Sequence, residues 1–269
     1  MKISRFAVLM SGLALATVSA HAGTVYLDDS LGNLWAGDPT TALYTLVGNS
    51  GITGGFTDIG FAAGVLYGLD SGGNLYSVNT STAAPTLIGN TGITDGSLVG
   101  LSDSTSGLLI AGGNGNIFTV NTGTAALTPG TPGGAYQTAG DLDFDGSGNL
   151  WLTSTTPAAD TLYQVDPVTG AILYNAGTLP FANVFGVAYD SENGTLYGFE
   201  VGGTQFDINT TNAASSGTDV TFTGISDPAG LLGAAFIASP EPSTFASAAI
   251  GSALILFALY RRRRTNRTV

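Results

Sequence analysis

VYLDDSLGNLWAGDPTTALYTLVGNSGIT, residues 25–53, returns as LYGLDSGGNLYSVNTSTAAPTLIGNTGIT, residues 66–94, without a gap and at an offset of 41. Repetition at this period marks a chain built by stacking one supersecondary unit. A shorter signature, aromatic-x-x-[Asp/Asn], carries the series further: Trp35 with Asp38, Tyr76 with Asn79, Phe118 with Asn121, Tyr163 with Asp166, and Phe206 with Asn209. Each copy runs into a turn (DPTTA, NTSTA, NTGTA, DPVTGA, NTTNA) in which the Asp or Asn side chain can bond the backbone two residues on.

Two more strand classes flank the signature. One begins at Val25, Leu66, Leu108, Leu150 and Leu196; the other reads TDIGF, SLVGL, GDLDF, VFGVAY and LLGAAF. Alternation and β-branched or aromatic content favour strands throughout, and no amphipathic helical pattern interrupts residues 23–238. The expected fold is all-β. Units of about 42 residues with four short strands match propeller blades. The chain starts in the second strand of its first unit and ends in an unmatched first strand, Leu231 to Ile237. Pairing of that strand with the N-terminal three would close a five-bladed β-propeller and remove the exposed edges of an open array. An open β-solenoid is the competing architecture, although repeats of 41 to 46 residues are long for its coils. The LYGLD, GNLYSVN and GVAYD segments resemble bacterial propellers with NHL-like or related repeats. That family includes enzymes and binding proteins, so the resemblance implies shape, not chemistry.

The 269-residue chain has 7 Lys and Arg against 19 Asp and Glu. All seven cations lie at the ends: Lys2 and Arg5, then Arg261, Arg262, Arg263, Arg264 and Arg267. Residues 1–22 read as a secretory signal peptide, with an apolar stretch from Phe6 to Val18 and a small-x-small cleavage site at Ala20-His21-Ala22, ahead of Gly23. An uncleaved anchor is the alternative. Residues 245–260 carry no charge and as a helix would reach ~24 Å, enough to span a membrane when the flanks snorkel. The arginines that follow hold that end in the cytoplasm and leave the body outside.

Pro240-Glu241-Pro242-Ser243, a single apolar helix and a terminal Arg cluster together resemble the PEP-CTERM sorting signal of Gram-negative bacteria, over residues 239–269. An ordinary C-terminal anchor after Pro-Glu-Pro is the alternative. The resemblance implies recognition by an exosortase, with cutting at or near Pro-Glu-Pro, in cells that produce exopolysaccharide and form biofilms. The expected partners are therefore signal peptidase, exosortase, the inner membrane in transit, and exopolysaccharide. The expected destination is the cell surface or the extracellular matrix.

Of the 19 acidic residues only Glu241 lies in the tail, which leaves 18 in a body, residues 23–238, that has no Lys or Arg. Such a surface repels nucleic acid and phosphate-bearing ligands, so no nucleic-acid partner is expected. The chain has no Cys, and its one His is His21. Nucleophilic triads, Schiff bases, and zinc sites built on His or Cys are thereby excluded from the body.

One cluster has ligand-like spacing: Asp141-Leu-Asp143-Phe-Asp145-Gly-Ser-Gly-Asn149. Alternate oxygen donors ahead of a glycine suit calcium, and the spacing resembles DxDxDG loops, although Leu152 stands where an EF-hand needs its acidic twelfth residue. The competing reading is an ordinary turn between strands, since other units place LSDSTSG and AYDSENG there. For catalysis only carboxylate pairs remain, as glycosidases use, with Asp141 and Asp143 or Asp190 and Glu192 as candidates. The expected role is structural or glycan- or protein-binding, not enzymatic, with a carboxylate-based polysaccharide hydrolase or lyase as the alternative. Trp35, Trp151 and the repeated tyrosines are candidates for stacking on sugar rings, or else form blade core.

Overall fold

The structure, a computed structural model, describes residues 23–238 apart from 95, 105–106, 113–114, 131–133, 157–159, 218 and 226–229. The segments read as signal peptide (1–22) and sorting signal (239–269), including the 245–260 helix, lie outside the described residues. Among the described residues no helix is long and apolar enough to cross a membrane.

The body is all-β and propeller-like. Among the described residues, twenty strands form five antiparallel four-stranded sheets. The second sheet holds β4 (Asp58–Ala62), β5 (Val65–Leu69), β6 (Asn74–Val78) and β7 (Pro85–Asn90) in that order. The third holds β8 (Leu98–Ser104), β9 (Gly107–Gly112), β10 (Ile117–Val120) and β11 (Leu127–Pro129). The fourth holds β12 (Gln137–Phe144), β13 (Leu150–Thr156), β14 (Thr161–Val165) and β15 (Ile172–Thr178). The fifth holds β16 (Val184–Asp190), β17 (Thr195–Glu200), β18 (Thr204–Ile208) and β19 (Val220–Thr221). The first sheet is assembled from both ends of the described chain: β1 (Thr24–Asp29), β2 (Asn33–Asp38) and β3 (Leu43–Asn49) follow β20 (Leu231–Ile237), which pairs with β1 from Thr24↔Ile237 to Asp29↔Leu231.

The sheets bury their apolar faces against one another, and each of the five interfaces has its own core. Leu34 and Ala235 meet Phe56 and Ile59 between the first and second sheets. Val25, Trp35 and Tyr44 meet Tyr197, Phe199 and Phe222 between the first and fifth. The fifth sheet returns to the first, so among the described residues each sheet packs between two others. The innermost strands β20, β4, β8, β12 and β16 touch in that order, and β16 returns to β20.

A second set of contacts locks the rim. The turn after each third strand is pinned by its Asp or Asn: Asp38 accepts from Thr40 N, Asn79 from Ser81 N, Asn121 from Gly123 N, Asp166 from Val168 N and Asn209 from Thr211 N. The backbone leaves the turn with positive φ at Ala42, Ala83, Ala125, Gly170 and Ala213. The turns of the second, third and fourth sheets press on the end of the preceding sheet's outer strand where a glycine stands; a Cβ on Gly48 would lie 2.5 Å from Thr82 O, and one on Gly89 would lie 2.6 Å from Thr124 O. At the closing interface Thr223 N donates to Ala42 O and Tyr44 N to Thr223 O.

Candidate functional site

Where the five innermost strands converge, side chains have little room, and the residues there depart from the apolar pattern. Strand pairing puts Asp58, Gly186 and Gly233 at one level, opposite Leu69, Phe199 and Asp28. Gly100 and Asp141 fall at that level too, because Leu101 pairs with Ile110 and Leu142 with Leu152. The hub therefore has two carboxyls and three glycines. The glycines make room for the acids: a Cβ on Gly233 would overlap Asp58 Oδ1 and lie 3.0 Å from Asp28 Oδ1.

An innermost strand has a partner on one side only, so alternate amides point at the axis without a ladder acceptor. At the hub all five of these amides are satisfied by the two acids. Asp58 accepts from Ile59 N at 2.7 Å and from Leu101 N at 2.5 Å. Asp141 accepts from Leu142 N at 2.6 Å, Val187 N at 2.8 Å and Ala234 N at 3.1 Å. Asp58 and Asp141 thus tie together strands from all five sheets, and both are fully buried. Burial raises both acids well above the ordinary carboxylate range. Asp58 is raised further by the charge of Asp141 and by the hydrogen bond between the two side chains. Two adjacent carboxyls in a dry site hold one proton between them. The hydrogen bond between them raises Asp58 and lowers Asp141, and Asp141 takes the larger share of amide donors.

Asp28 stands beside this pair on β1, 1 % exposed. Neither of its oxygens meets a donor at bonding geometry, although the Phe56 and Gly233 amides lie nearby. Burial, with the charge of Asp29, raises it as well.

The four residues nominated for calcium, Asp141, Asp143, Asp145 and Asn149, each meet partners within the protein. Asp141 faces the hub. Asp143 accepts from Ser102 Oγ at 2.7 Å, Phe144 N at 2.8 Å and Tyr189 N at 2.6 Å. Asp145 lies in a tight turn and accepts from Ser147 N, Asn149 N, Asn149 Nδ2 and Trp151 Nε1, at 2.8 to 3.0 Å. Strand alternation and the turn send the three carboxyls to different donors, and among the described residues no group of three acidic side chains is placed to hold a metal ion. The turn itself recurs. Asp29 accepts from Leu31 N, Asn33 N, Asn33 Nδ2 and Trp35 Nε1. Asp70 accepts from Gly72 N, Asn74 N, Asn74 Nδ2 and Tyr76 Oη. The motif Asp-x-x-Gly-Asn-Leu-[Trp/Tyr] is visible at 29–35, 70–76 and 145–151, and it is a signal for a capped turn.

The same turns place the tryptophans. Trp35 and Trp151 are each 4 % exposed with the indole N–H on a turn carboxylate, so neither offers a face to a sugar. The other nominated acid pair does not converge on a cleft either. Asp190 is buried and caps the amides of Glu192 and Asn193, while Glu192 is exposed and accepts from Gly23 N at 3.2 Å.

Two cavities accompany the hub. A space of about 30 Å³ lies one level along the axis between Gly60, Ser102, Asp143 and Ala235, room for one water. A groove of about 280 Å³ runs between the turn at Asp145–Ser147 and the fifth sheet, lined by Tyr189, Asp207, Thr210 and Ser216 among others.

With this geometry in hand, the likenesses to known proteins are of fold alone. No protein-family model matches the chain, and no curated protein matches it. A Bacteroides thetaiotaomicron protein of unknown function, solved by crystallography, is similar at 18% identity and TM-score 0.51 over 77% of this chain, which spans 65% of that protein's length. A chain from the crystal structure of a nidogen/laminin complex is similar at 11% identity and TM-score 0.52, with 79% of this chain and 98% of that one covered.

Proposed function

We propose that the protein is an exported component of the surface or exopolysaccharide matrix of a Gram-negative cell, delivered by residues 1–22 and sorted by an exosortase acting on residues 239–269. Its body, a closed five-bladed β-propeller, serves as a structural or binding module and not as a catalyst. One observation supports this reading above the others: a closed body whose nominated acids are taken up by its own amide donors lies between two terminal segments holding every Lys and Arg of the chain. A polysaccharide hydrolase or lyase needs a carboxyl facing its substrate, and Asp141 is sealed in the hub while Asp143 is engaged on three sides.

The test is to express the full-length chain in an exosortase-bearing, exopolysaccharide-producing cell, then fractionate membrane and matrix and weigh the mature protein by mass spectrometry. The expected product lacks the arginine tail and partitions with the matrix, and Glu241→Ala keeps it membrane-bound. A mature protein that retains Arg261 to Arg264 and stays with the membrane in both versions sinks the proposal.

A further inference from the structure

Internal repetition supplies a control at each position: residues that serve the fold recur from sheet to sheet, and residues that serve a ligand have no reason to. Two residues of the 280 Å³ groove depart from their counterparts. Asp207 stands where the other sheets have Ala36, Ser77, Thr119 and Gln164, as the pairing of second and third strands shows. Tyr189 stands where Phe61, Phe144 and Phe236 stand, each opposite the first core residue of the second strand. It therefore adds a hydroxyl at a level that is apolar in three of the other four sheets, the third sheet having Asp103 there.

Both departures face the same space. A Cβ on Gly146 would lie 2.5 Å from Tyr189 Oη, and one on Gly217 would overlap Asp207 Oδ2, so each polar tip rests over a glycine. Among the described residues no donor is bonded to the Asp207 carboxylate, unlike Asp145 across the groove, whose four donors occupy it. Burial and the nearby Asp219 raise Asp207, the response of a carboxylate that lacks donors. The Ser147 and Thr210 hydroxyls complete a lining rich in acceptors and hydroxyls.

We propose that this groove binds one neutral hexose unit of a polysaccharide, with Asp207 accepting hydrogen bonds from two ring hydroxyls and Tyr189 placing its ring edge and hydroxyl against the sugar. The chemistry of the lining selects the class. An acceptor without a donor among the described residues calls for a ligand that brings O–H groups, and a body without Lys or Arg cannot clamp a uronate, sulfate or phosphate. A single available carboxylate falls far short of the six to eight oxygens that calcium takes. The volume is just under the ~300 Å³ lower limit of drug-sized pockets, which suits one ring. Gly146, Ser147 and Ser216 are exposed, so the chain on either side of that ring can run out into solvent. The inference deepens the matrix-binding reading above and rests on it for the source of the sugar.

Calorimetric titration of the full-length chain in detergent, with short glucose and galactose oligosaccharides and an oligogalacturonate as the anionic control, tests the assignment. The expected result is saturable binding of a neutral oligosaccharide, weakened roughly tenfold by Asp207→Asn and by Tyr189→Phe separately, with the uronate weaker than either neutral series. The idea is overturned if no neutral oligosaccharide saturates, if both variants bind like the wild type, or if the uronate binds as well. The cell fractionation described above separates the two proposals: a protein that reaches the matrix but ignores neutral sugars removes the groove and keeps the matrix role. Sugar binding by a protein that never leaves the membrane does the reverse.

Discussion

Asp58 and Asp141 lie in sheets that are not neighbours, yet they meet at the axis and share one proton while accepting the five inward amides of the innermost strands. An orphaned amide in a dry interior costs about 1–3 kcal/mol, so the pair removes a penalty that a ring of apolar residues would incur five times. The hub is thus stabilised by polar contacts, while hydrophobic packing acts between the sheets.

That arrangement fixes how stability responds to pH. Asp28, Asp58 and Asp141 are all raised above their unfolded values by burial. The contribution of a raised acid is fully present below about pH 3.9, the ordinary aspartate value, and is lost as pH climbs through the elevated folded value. Asp166, which is lowered by the Thr169 and Val168 amides, works in the opposite sense and loses its contribution only as pH falls through the acidic range. The melting temperature is therefore expected to rise as pH is lowered from 8 toward 5. A melting temperature that falls over that interval contradicts the shared-proton hub.

The two hub acids are predicted to differ when converted to amides. In Asp58→Asn the amide group can donate to Asp141 and the carbonyl keeps one backbone donor while the other loses its acceptor; the protein should lose about 1 kcal/mol and show a flatter pH profile. Asp141→Asn points an N–H₂ at a site ringed by three donors and should cost about 3 kcal/mol. Denaturant titration of both variants measures the difference, and equal losses would show that the unequal division of amide donors between the two acids has no effect on stability.

Gly233 provides a steric test of the same hub. A Cβ there would overlap Asp58 Oδ1 and lie 2.9 Å from Asp58 Cα, and β20 cannot shift without disturbing its pairing with β1. Gly233→Ala should destabilise by about 3 kcal/mol, at the upper end of overpacking effects, whereas Gly51→Ala strains only a positive φ in open space and should cost about 1 kcal/mol. Thermal denaturation of the two variants side by side decides whether the axis is as close-packed as described.

Much of the sheet architecture was legible in the repeat. The offset of 41 aligned Trp35 with Tyr76 and set the strand classes, and the leftover strand Leu231–Ile237 told where the first sheet finds its fourth member. The site was harder to read, because strand alternation fixes a residue's face but not which strands meet across an axis. Asp58 lies in TDIGF, a segment singled out only as a strand, and nothing local links it to Asp141, 83 positions away. The DxDxDG spacing was ambiguous for the opposite reason: it spans a strand end and a turn, so its three acids meet different donors. The better guide was the recurrence of Asp-x-x-Gly-Asn-Leu-aromatic at residues 29, 70 and 145.

That recurrence makes a prediction about metal. If Asp145 is a turn cap like Asp29 and Asp70, each replaced by Ala should cost about 2 kcal/mol through lost caps and an unpaired indole or phenol group. Addition of calcium or of a chelator should leave the melting temperature of the wild type unchanged. A chelator-induced fall that Asp145→Ala abolishes would favour the metal reading for this loop.

The rim turns give the last test. Ala83 has φ 61° and is fully buried, and its counterparts Ala42, Ala125 and Ala213 share both properties, while the fourth sheet has Gly170 at this place with φ 66°. The left-handed conformation costs an L-residue roughly 1–2 kcal/mol, and the buried methyl returns about 0.8 kcal/mol. The two effects nearly offset, which explains why evolution could leave either residue there. Ala83→Gly should therefore shift stability by less than about 1 kcal/mol in either direction. Ala83→Val, with a branched side chain in the same backbone region and Gly48 of the neighbouring sheet pressed against the turn, should destabilise by at least about 3 kcal/mol. Chemical denaturation reads both, and a tolerated valine would show that the turn is free to change its backbone, contrary to the lock between adjacent sheets.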